Sequence, residues 1–353
     1  MDFFGKVVEP MRSFLAEWTP LPMLGMFALF LVLPAVLPWI GGYTYLGTEV
    51  MIWAIFALGY NLLLGHTGLP GFGHGAFFGL GGYFLGMSQM WVTGGIWLPL
   101  LFGALGAAIC GAAVALFVAR KRGIYFALLT IAFGTMFWFA VFLLDTWTGG
   151  EDGLTGIKRL AVGIPGLFQV PLQDNLAFYY FVSALFVLLT IVIYRIVRSP
   201  FGQVIQAIKQ SESRASALGY DTARYKWAVF TLSCAFAGFA GGLYSLARFG
   251  AFPEPMSLHQ SGNVVLMCLV GGGFASFYGP VLGVAVFLVL RDFFSTLTDH
   301  WMLLYGLLFM AIILFLPEGI LGLTQRKRRP APSRDTGATP PPRGEIAAPG
   351  GPR

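Results

Sequence analysis

Residues 47–65 read Gly47-Thr-Glu-Val-Met-Ile-Trp-Ala-Ile-Phe-Ala-Leu-Gly-Tyr-Asn-Leu-Leu-Leu-Gly65, and Glu49 is their only charged side chain. A bilayer core about 30 Å thick needs roughly 20 apolar residues of helix, so this stretch reads as a membrane span. The chain then passes through Gly65-His-Thr-Gly-Leu-Pro-Gly-Phe-Gly-His-Gly75 into a second apolar run. The alternation of apolar run and short break recurs along the sequence. Its composition agrees: 57% of the 353 residues are hydrophobic and 11% charged, against roughly 25% charged in an ordinary soluble domain. A soluble fold with these proportions would carry too apolar a surface to stay dispersed.

Working outward, ten spans fit, at 21–40, 47–65, 74–90, 97–119, 123–145, 176–194, 227–248, 262–279, 280–297 and 301–317. Gly and Pro interrupt the third, eighth and ninth. Asp2, Lys6, Glu9, Arg12 and Glu17 precede Leu21–Ile40 with no small-residue cleavage site, so that run reads as a retained span. Threading from a cytoplasmic N-terminus puts 18 of 22 Lys and Arg residues inside; Lys158, Arg159, Arg248 and Arg291 remain at the outer side. Lys and Arg favour cytoplasmic loops, so both termini are expected inside. The organisation is then a cytoplasmic segment at 1–20, a transmembrane domain at 21–323 and a tail at 324–353. That tail, rich in Pro, Gly, Ala and Arg, holds too little apolar surface to order itself.

The net charge of +6 is concentrated in the tail and in short inter-span gaps, which is membrane-flank behaviour and excludes a nucleic-acid face. Cys110, Cys234 and Cys268 fall inside apolar runs without metal spacing. His66 and His74 lack nearby Cys or carboxylate partners for a metal site. No catalytic constellation is present. Glu49 and Asp145 lie at span ends, and only the Arg291-Asp292 pair falls clearly within a span. Carriers driven by protons or voltage ordinarily need intramembrane charge, so the driving energy is expected to enter elsewhere.

Two polar segments are long enough to carry function, an outer loop at 146–175 and an inner loop at 195–226. In the inner loop Phe201, Val204, Ile205 and Ile208 recur at helical spacing, Gly219 supplies a C-cap, and Asp221 or Thr222 starts another turn. This predicts a short amphipathic helix pair at the membrane surface, either a connector or a docking element for a cytoplasmic partner. The Gly-rich breaks at 65–75 and 271–280 have two readings as well. Irregular backbone at membrane depth lines a path, or small residues allow close helix packing. Packing is the expectation for Gly103–Gly111 and Gly238–Gly242.

At these residues the sequence resembles a known family. Asn61-Leu-Leu-Leu-Gly-His-Thr-Gly-Leu69 with Gly73-His-Gly-Ala-Phe-Phe78, Arg122-Gly-Ile-Tyr-Phe-Ala-Leu-Leu-Thr130 and Thr148-Gly-Gly-Glu-Asp-Gly-Leu154 resemble blocks of the LivM-type permeases of branched-chain amino-acid ABC importers. Ser199-Pro-Phe-Gly-Gln-Val-Ile-Gln-Ala-Ile208, then Glu212, Ala215, Ala217, Leu218, Gly219 and Tyr225-Lys226, looks like the importer coupling region. The likeness covers roughly residues 45 to 323. It implies an all-α integral membrane fold similar to the vitamin B12-type importer permeases, with an internal pseudo-repeat, in the bacterial inner membrane. It also implies a paralogous permease subunit, two cytoplasmic ATPases that hold ATP and Mg, and a periplasmic binding protein; no cofactor is expected in this chain.

On that resemblance Glu212, Arg214, Ala215, Ala217 and Gly219 are expected to meet the ATPase. Asn61, His66, Thr67, Gly71, Gly73 and His74, with Gly271, Gly272 and Gly273 opposite, are expected along the path. Thr148, Gly149, Gly150, Asp152 and Gly153 are expected to face the binding protein. Similar permeases serve urea or short amides, and the spans do not separate these substrates. Two rivals stay open: a secondary carrier or passive channel, and a membrane enzyme using His66 and His74 as acid and base.

Overall fold

The computed structural model describes residues 43–91, 95–164, 168–272, 276–298 and 300–315, with positions 25, 27, 30, 33, 34 and 319. Most of the span expected at 21–40, the segment 1–20 and the tail from 324 lie outside the described residues. The chain is helical almost throughout: α1 (Thr44–Thr67), α2 (His74–Trp91), α3 (Trp97–Val118), α4 (Gly123–Leu143), α5 (Asn175–Arg198), α6 (Pro200–Gln210), α7 (Glu212–Ala217), α8 (Thr222–Arg248), α9 (Leu258–Gly272), α10 (Gly279–Leu297) and α11 (Trp301–Phe315). Two small antiparallel ladders are the exceptions. β1 (Leu154–Thr155) pairs with β4 (Gly250–Ala251), and β2 (Val162–Ile164) with β3 (Phe168–Val170).

Among the described residues six helices are long and apolar enough to cross a membrane: α1, α3, α4, α5, α8 and α10. The other three apolar helices of the bundle are shorter. α2 has 18 residues and α9 and α11 have 15 each, about 27 and 22 Å of helix. The span expected at 262–279 therefore begins earlier and stops at Gly272, and α10 restarts at Gly279. Glycines set this hairpin: a Cβ on Gly271 would collide with the Gly279 carbonyl, and one on Gly283 with the Met267 carbonyl.

α1 is the mast of the bundle, buried from Leu46 to Gly65. α8 runs antiparallel beside it, with Gly59 against Phe236 and Trp53 edge-on to Tyr244, ring centroids 6.0 Å apart. α2, α3 and α8 interlock through small residues, since a Cβ on Gly81 would strike the Gly238 carbonyl and one on Gly241 the Phe78 carbonyl. Close approach through small side chains is how helices associate in lipid, and the packing reading of Gly103–Gly111 and Gly238–Gly242 fits. The outward faces of α3 and α4 carry Leu105, Ile109, Leu116, Leu128 and Phe139, an apolar exterior matched to lipid or another membrane helix.

The chain repeats its own plan in opposite orientation. α1 ends on Gly68 in the left-handed conformation (φ 76°), and a non-helical turn leads into short α2, then α3 and α4. α8 ends on Phe249, also left-handed (φ 56°), and a turn containing one short 3-10 stretch (Glu254–Met256) leads into short α9, then α10 and α11. Because α1 and α8 are antiparallel, the halves form an inverted repeat. The segments whose basic residues mark them as inner gather at one end of the bundle. Lys226 Nζ reaches the Lys121 carbonyl at 3.3 Å, and Lys209 Nζ reaches the Gly65 carbonyl at 2.6 Å. Lys158, Arg159, Arg248 and Arg291 lie toward the other.

Candidate coupling hairpin and central cavity

The basic end carries the helix pair α6–α7. Ser199 caps α6, its Oγ accepting from the Gly202 amide, with Pro200 at the first helical position. Val204, Ile205 and Ile208 turn inward, and Ala215 of α7 packs on Val204 and Ile208. Ser211 breaks the helix and caps α7 through the Arg214 amide. Phe201 stacks on Tyr225 at 5.7 Å. Lys209, drawn down in pKa by burial, donates to the last turn of α1, where a cation complements the helix dipole.

Glu212 fastens the pair to the bundle. Its carboxylate receives Arg122 Nε at 2.7 Å, Lys226 Nζ at 2.9 Å and the Thr222 hydroxyl at 3.1 Å. Lys226 is 1% exposed and Glu212 13%, so that pair is interior, while Arg122 reaches it from the surface. Of the residues expected at the ATPase contact, Glu212 and Ala215 face the protein; Arg214, Ala217 and Gly219 face outward. Gly219 ends α7 in the left-handed region (φ 89°). Beside it Leu218 is 77% exposed and Tyr220 is exposed as well. Leu218 belongs to the matched motif, but its outward aim depends on the cap and does not follow from periodicity.

The two turns meet inside the bundle. The Phe72 amide donates to Thr130 Oγ1 at 3.1 Å, and Gly73 lies so close to Thr130 and Gly134 of α4 that a Cβ would strike the Thr130 carbonyl. From the opposite repeat, Ser257 Oγ accepts from the Gln260 amide at the start of α9, and Ser261 Oγ accepts from the Gly75 amide at 2.9 Å. The beginnings of α2 and α9 are thus hydrogen-bonded to each other. Beside this junction is a cavity of about 380 Å³, lined by Phe72, Gly73, Thr135, Trp138, Ser257 and Ser261 among others. Trp138 and Ser257 also border a mouth of about 670 Å³ with Glu151, Arg248 and Glu254.

Gly73 is the expected path residue that borders the cavity. Gly71 packs on Leu63 and His74. His74 is enclosed by the rings of Tyr60, Phe77 and Phe230, with centroids 5.0, 5.8 and 5.1 Å away. Asn61 is buried and its Nδ2 donates to the Ser276 carbonyl at 3.5 Å; the Thr67 hydroxyl donates to Leu62 of its own helix. His66 is half-buried at the end of α1. Gly271 and Gly272 make the α9–α10 contact, and Gly273 lies outside the described residues. Thr135, Trp138, Ser257 and Ser261 escaped the sequence reading. For Ser257 and Ser261 the local signal was Pro253-Glu-Pro-Met-Ser257 after α8, a breaker pair followed by a capping serine; Thr135 and Trp138 on α4 had none.

At the other end Thr148 is buried, donating to the Val141 carbonyl at 2.6 Å and accepting from the Gly150 amide at 3.2 Å. Gly149, Gly150 and Gly153 are all left-handed, and Asp152 is exposed on the turn they form. The loop is stitched to α8. Leu154 pairs with Ala251 and Thr155 with Gly250, while Arg159 donates to the Leu246 and Ala247 carbonyls at 3.0 and 3.2 Å. The Arg159 guanidinium lies 4.1 and 4.4 Å from the ring centroids of Phe178 and Phe249. Among the described residues no group of His, Cys, Asp or Glu could hold a metal ion.

Comparison with known proteins agrees with this architecture. Residues 42–316 match the family described as "Branched-chain amino acid transport system / permease component". The chain is 30% identical over 303 residues to the high-affinity branched-chain amino acid transport system permease protein LivM of Escherichia coli K12, covering 80% of this chain and 71% of that one. A probable LivM of Methanocaldococcus jannaschii is 23% identical, with 76% and 90% covered. LivH of Salmonella typhimurium is 25% identical, with 76% and 91% covered. No solved structure gives a significant match. A helical bundle with multiple apolar spans and a family match across nearly all its described residues leave one assignment: the chain belongs to the permease components of branched-chain amino acid transport systems.

Proposed function

We propose that this chain is one permease subunit of an ATP-driven importer for branched-chain amino acids. It would pair with a paralogous permease, two cytoplasmic ATPases that hold ATP and Mg, and a periplasmic binding protein. The observation that carries the reading is the α6–α7 pair. It is locked inward through Glu212, yet it presents Leu218, Gly219 and Tyr220 outward at the basic end of the bundle. Rigid attachment behind an exposed apolar tip is what a transmission element requires.

In this reading the basic end faces the cytoplasm, and ten helices of vitamin B12-type arrangement sit in the bacterial inner membrane with both termini inside. ATP closure moves Arg214, Ala217 and Gly219. Glu212 passes that movement to α8 and to the α3–α4 connection. The turns at 68–73 and 249–257 then open the cavity alternately to each side. The loop at 148–153 meets the loaded binding protein, and its ladder with β4 carries the contact to the second turn. The scarcity of charge inside the spans follows, because the energy is supplied by nucleotide.

The test is reconstitution of the complete assembly in proteoliposomes. Leucine, isoleucine and valine should accumulate only with ATP and the binding protein. Accumulation by this chain alone without ATP would replace the proposal with a secondary carrier, and uptake of urea or short amides in place of amino acids would reassign the substrate.

A further inference from the structure

Two ion pairs lie toward the end of the bundle opposite the basic hairpin, and they differ in access. Arg291 holds Glu49 at 2.9 Å, and that carboxylate is 6% exposed. Arg248 Nη1 holds Glu254 Oε2 at 3.3 Å, and Glu254 is 64% exposed. In the first the carboxylate is closed off, while Arg291 is 31% exposed and borders a different cavity of about 620 Å³. The second borders the mouth of about 670 Å³ that shares Trp138 and Ser257 with the cavity beside the α2–α9 junction.

That mouth has an unusual combination of walls. Arg248 supplies a guanidinium, Glu254 and Glu151 supply carboxylates, and Trp138, Phe142 and Phe252 supply an apolar side. Its volume falls within the ~300–1,000 Å³ of small-molecule sites. An exposed ion pair contributes little to stability because water competes for both partners. A solute bearing both charges can therefore exchange with it, its carboxylate on Arg248 and its ammonium on Glu254. Arg248 is the last residue of α8 and Glu254 opens the turn into α9, so such a solute would bridge the two ends of the 249–257 turn.

We propose that Arg248, Glu254 and the aromatic wall beside them form an entry site for the zwitterionic head and aliphatic side chain of an α-amino acid. The site rests on the import reading above and adds to it a selective step within the permease. The head group opens the Arg248–Glu254 pair and the side chain lies on Trp138, Phe142 and Phe252. Passage inward then follows the residues shared with the cavity, Trp138 and Ser257. A solute lacking either charge leaves one member of the pair unmatched.

The experiment uses the complete assembly in nanodiscs, without binding protein, and measures binding of leucine, leucinamide (no carboxylate) and 4-methylpentanoate (no ammonium). The unaltered complex should bind leucine in preference to both analogues. Arg248→Gln should weaken leucine about tenfold, the scale of one charged hydrogen bond, and leave leucinamide unchanged. Glu254→Gln should weaken leucine similarly and leave 4-methylpentanoate unchanged. The exchanged variant, Arg248→Glu with Glu254→Arg, keeps an ion pair but presents it reversed, and it should remain weak. Leucine binding restored by the exchange would show the pair to be structural only and overturn the proposal. Equal binding of the three solutes, or unaltered leucine binding in both single variants, would overturn it while leaving ATP-driven uptake standing. Failure of the unaltered assembly to transport amino acids would instead remove the import reading, and the entry site with it.

Discussion

The carboxylate of Glu212 lies 2.9 Å from Lys226 Nζ, and the same carboxylate lies 2.7 Å from Arg122 Nε. One side chain of the surface hairpin thereby holds the base of α8 and the connection between α3 and α4. Removing one partner of a buried pair leaves an uncompensated charge, at a cost of about 3–5 kcal/mol. Glu212→Ala should destabilise the permease by that order in thermal unfolding. Adding Lys226→Met should recover part of the loss, because the stranded ammonium goes with it. A double variant no better than the single one would show that Lys226 is not the strained partner.

The outward tip predicts the opposite pattern. Leu218→Asp exposes nothing new and removes no internal contact, so membrane insertion and unfolding temperature should stay unchanged, surface changes usually falling within about ±0.5 kcal/mol. Co-purification of the ATPases should fall sharply. Gly219→Val forces a β-branched residue into a left-handed conformation, costing about 1–3 kcal/mol, and should separate ATP hydrolysis from uptake. Normal uptake in both variants would move the docking face elsewhere.

Gly73 and Gly262 form a matched pair for the central junction. A Cβ at Gly73 would collide with the Thr130 carbonyl, whereas one at Gly262 meets nothing within 4 Å. Gly73→Ala should reduce uptake at least tenfold or prevent assembly, since overpacking costs typically 1–3 kcal/mol. Gly262→Ala should be neutral or slightly stabilising through helix propensity. Equal uptake by both variants would place the moving contact away from α4.

Arg159 is a buried cation that donates to the Leu246 and Ala247 carbonyls at the end of α8 and to Asn175 Oδ1. Burial draws its pKa down. Arg159→Met keeps most of the apolar bulk but loses hydrogen bonds worth about 1.5–3 kcal/mol each when charged. It should loosen the outer loop, read as faster amide exchange at 149–156 and 246–251, with exchange in α6 and α7 unaltered. Unchanged exchange in the loop would mean the β1–β4 ladder suffices.

Apolar run length located α1 to α5, α8, α10 and α11 within a few residues, because a helix that must cross hydrocarbon has little freedom in length or composition. The spacing of Val204, Ile205 and Ile208 located the inward face of α6 for the same kind of reason. What stayed hidden is what depends on distant partners. Hydropathy could not tell that α2 and α9 begin inside the bundle, since a turn hydrogen-bonded to Thr130 or Ser261 is as apolar in sequence as a helix. Glu212 stood out through a motif, and the motif suggested an outside contact. Its partners, 90 residues before it and 14 after, turn it inward. Glycines at 271 and 272 read equally well as path or packing until Gly279 and Gly283 were seen against them.

The pairing of Glu49 with Arg291 spans 242 positions, which gives it a meaning in time. At about 5–20 residues per second of synthesis, the first helix waits roughly ten to fifty seconds for the guanidinium that will cover its carboxylate. Through that interval the newborn mast has no counter-ion, and for most of it no antiparallel companion, since α8 is complete only at Arg248. Maturation of the N-terminal repeat is therefore tied to delivery of the C-terminal one, and a nascent chain halted before residue 291 would leave the Glu49 carboxylate without that guanidinium.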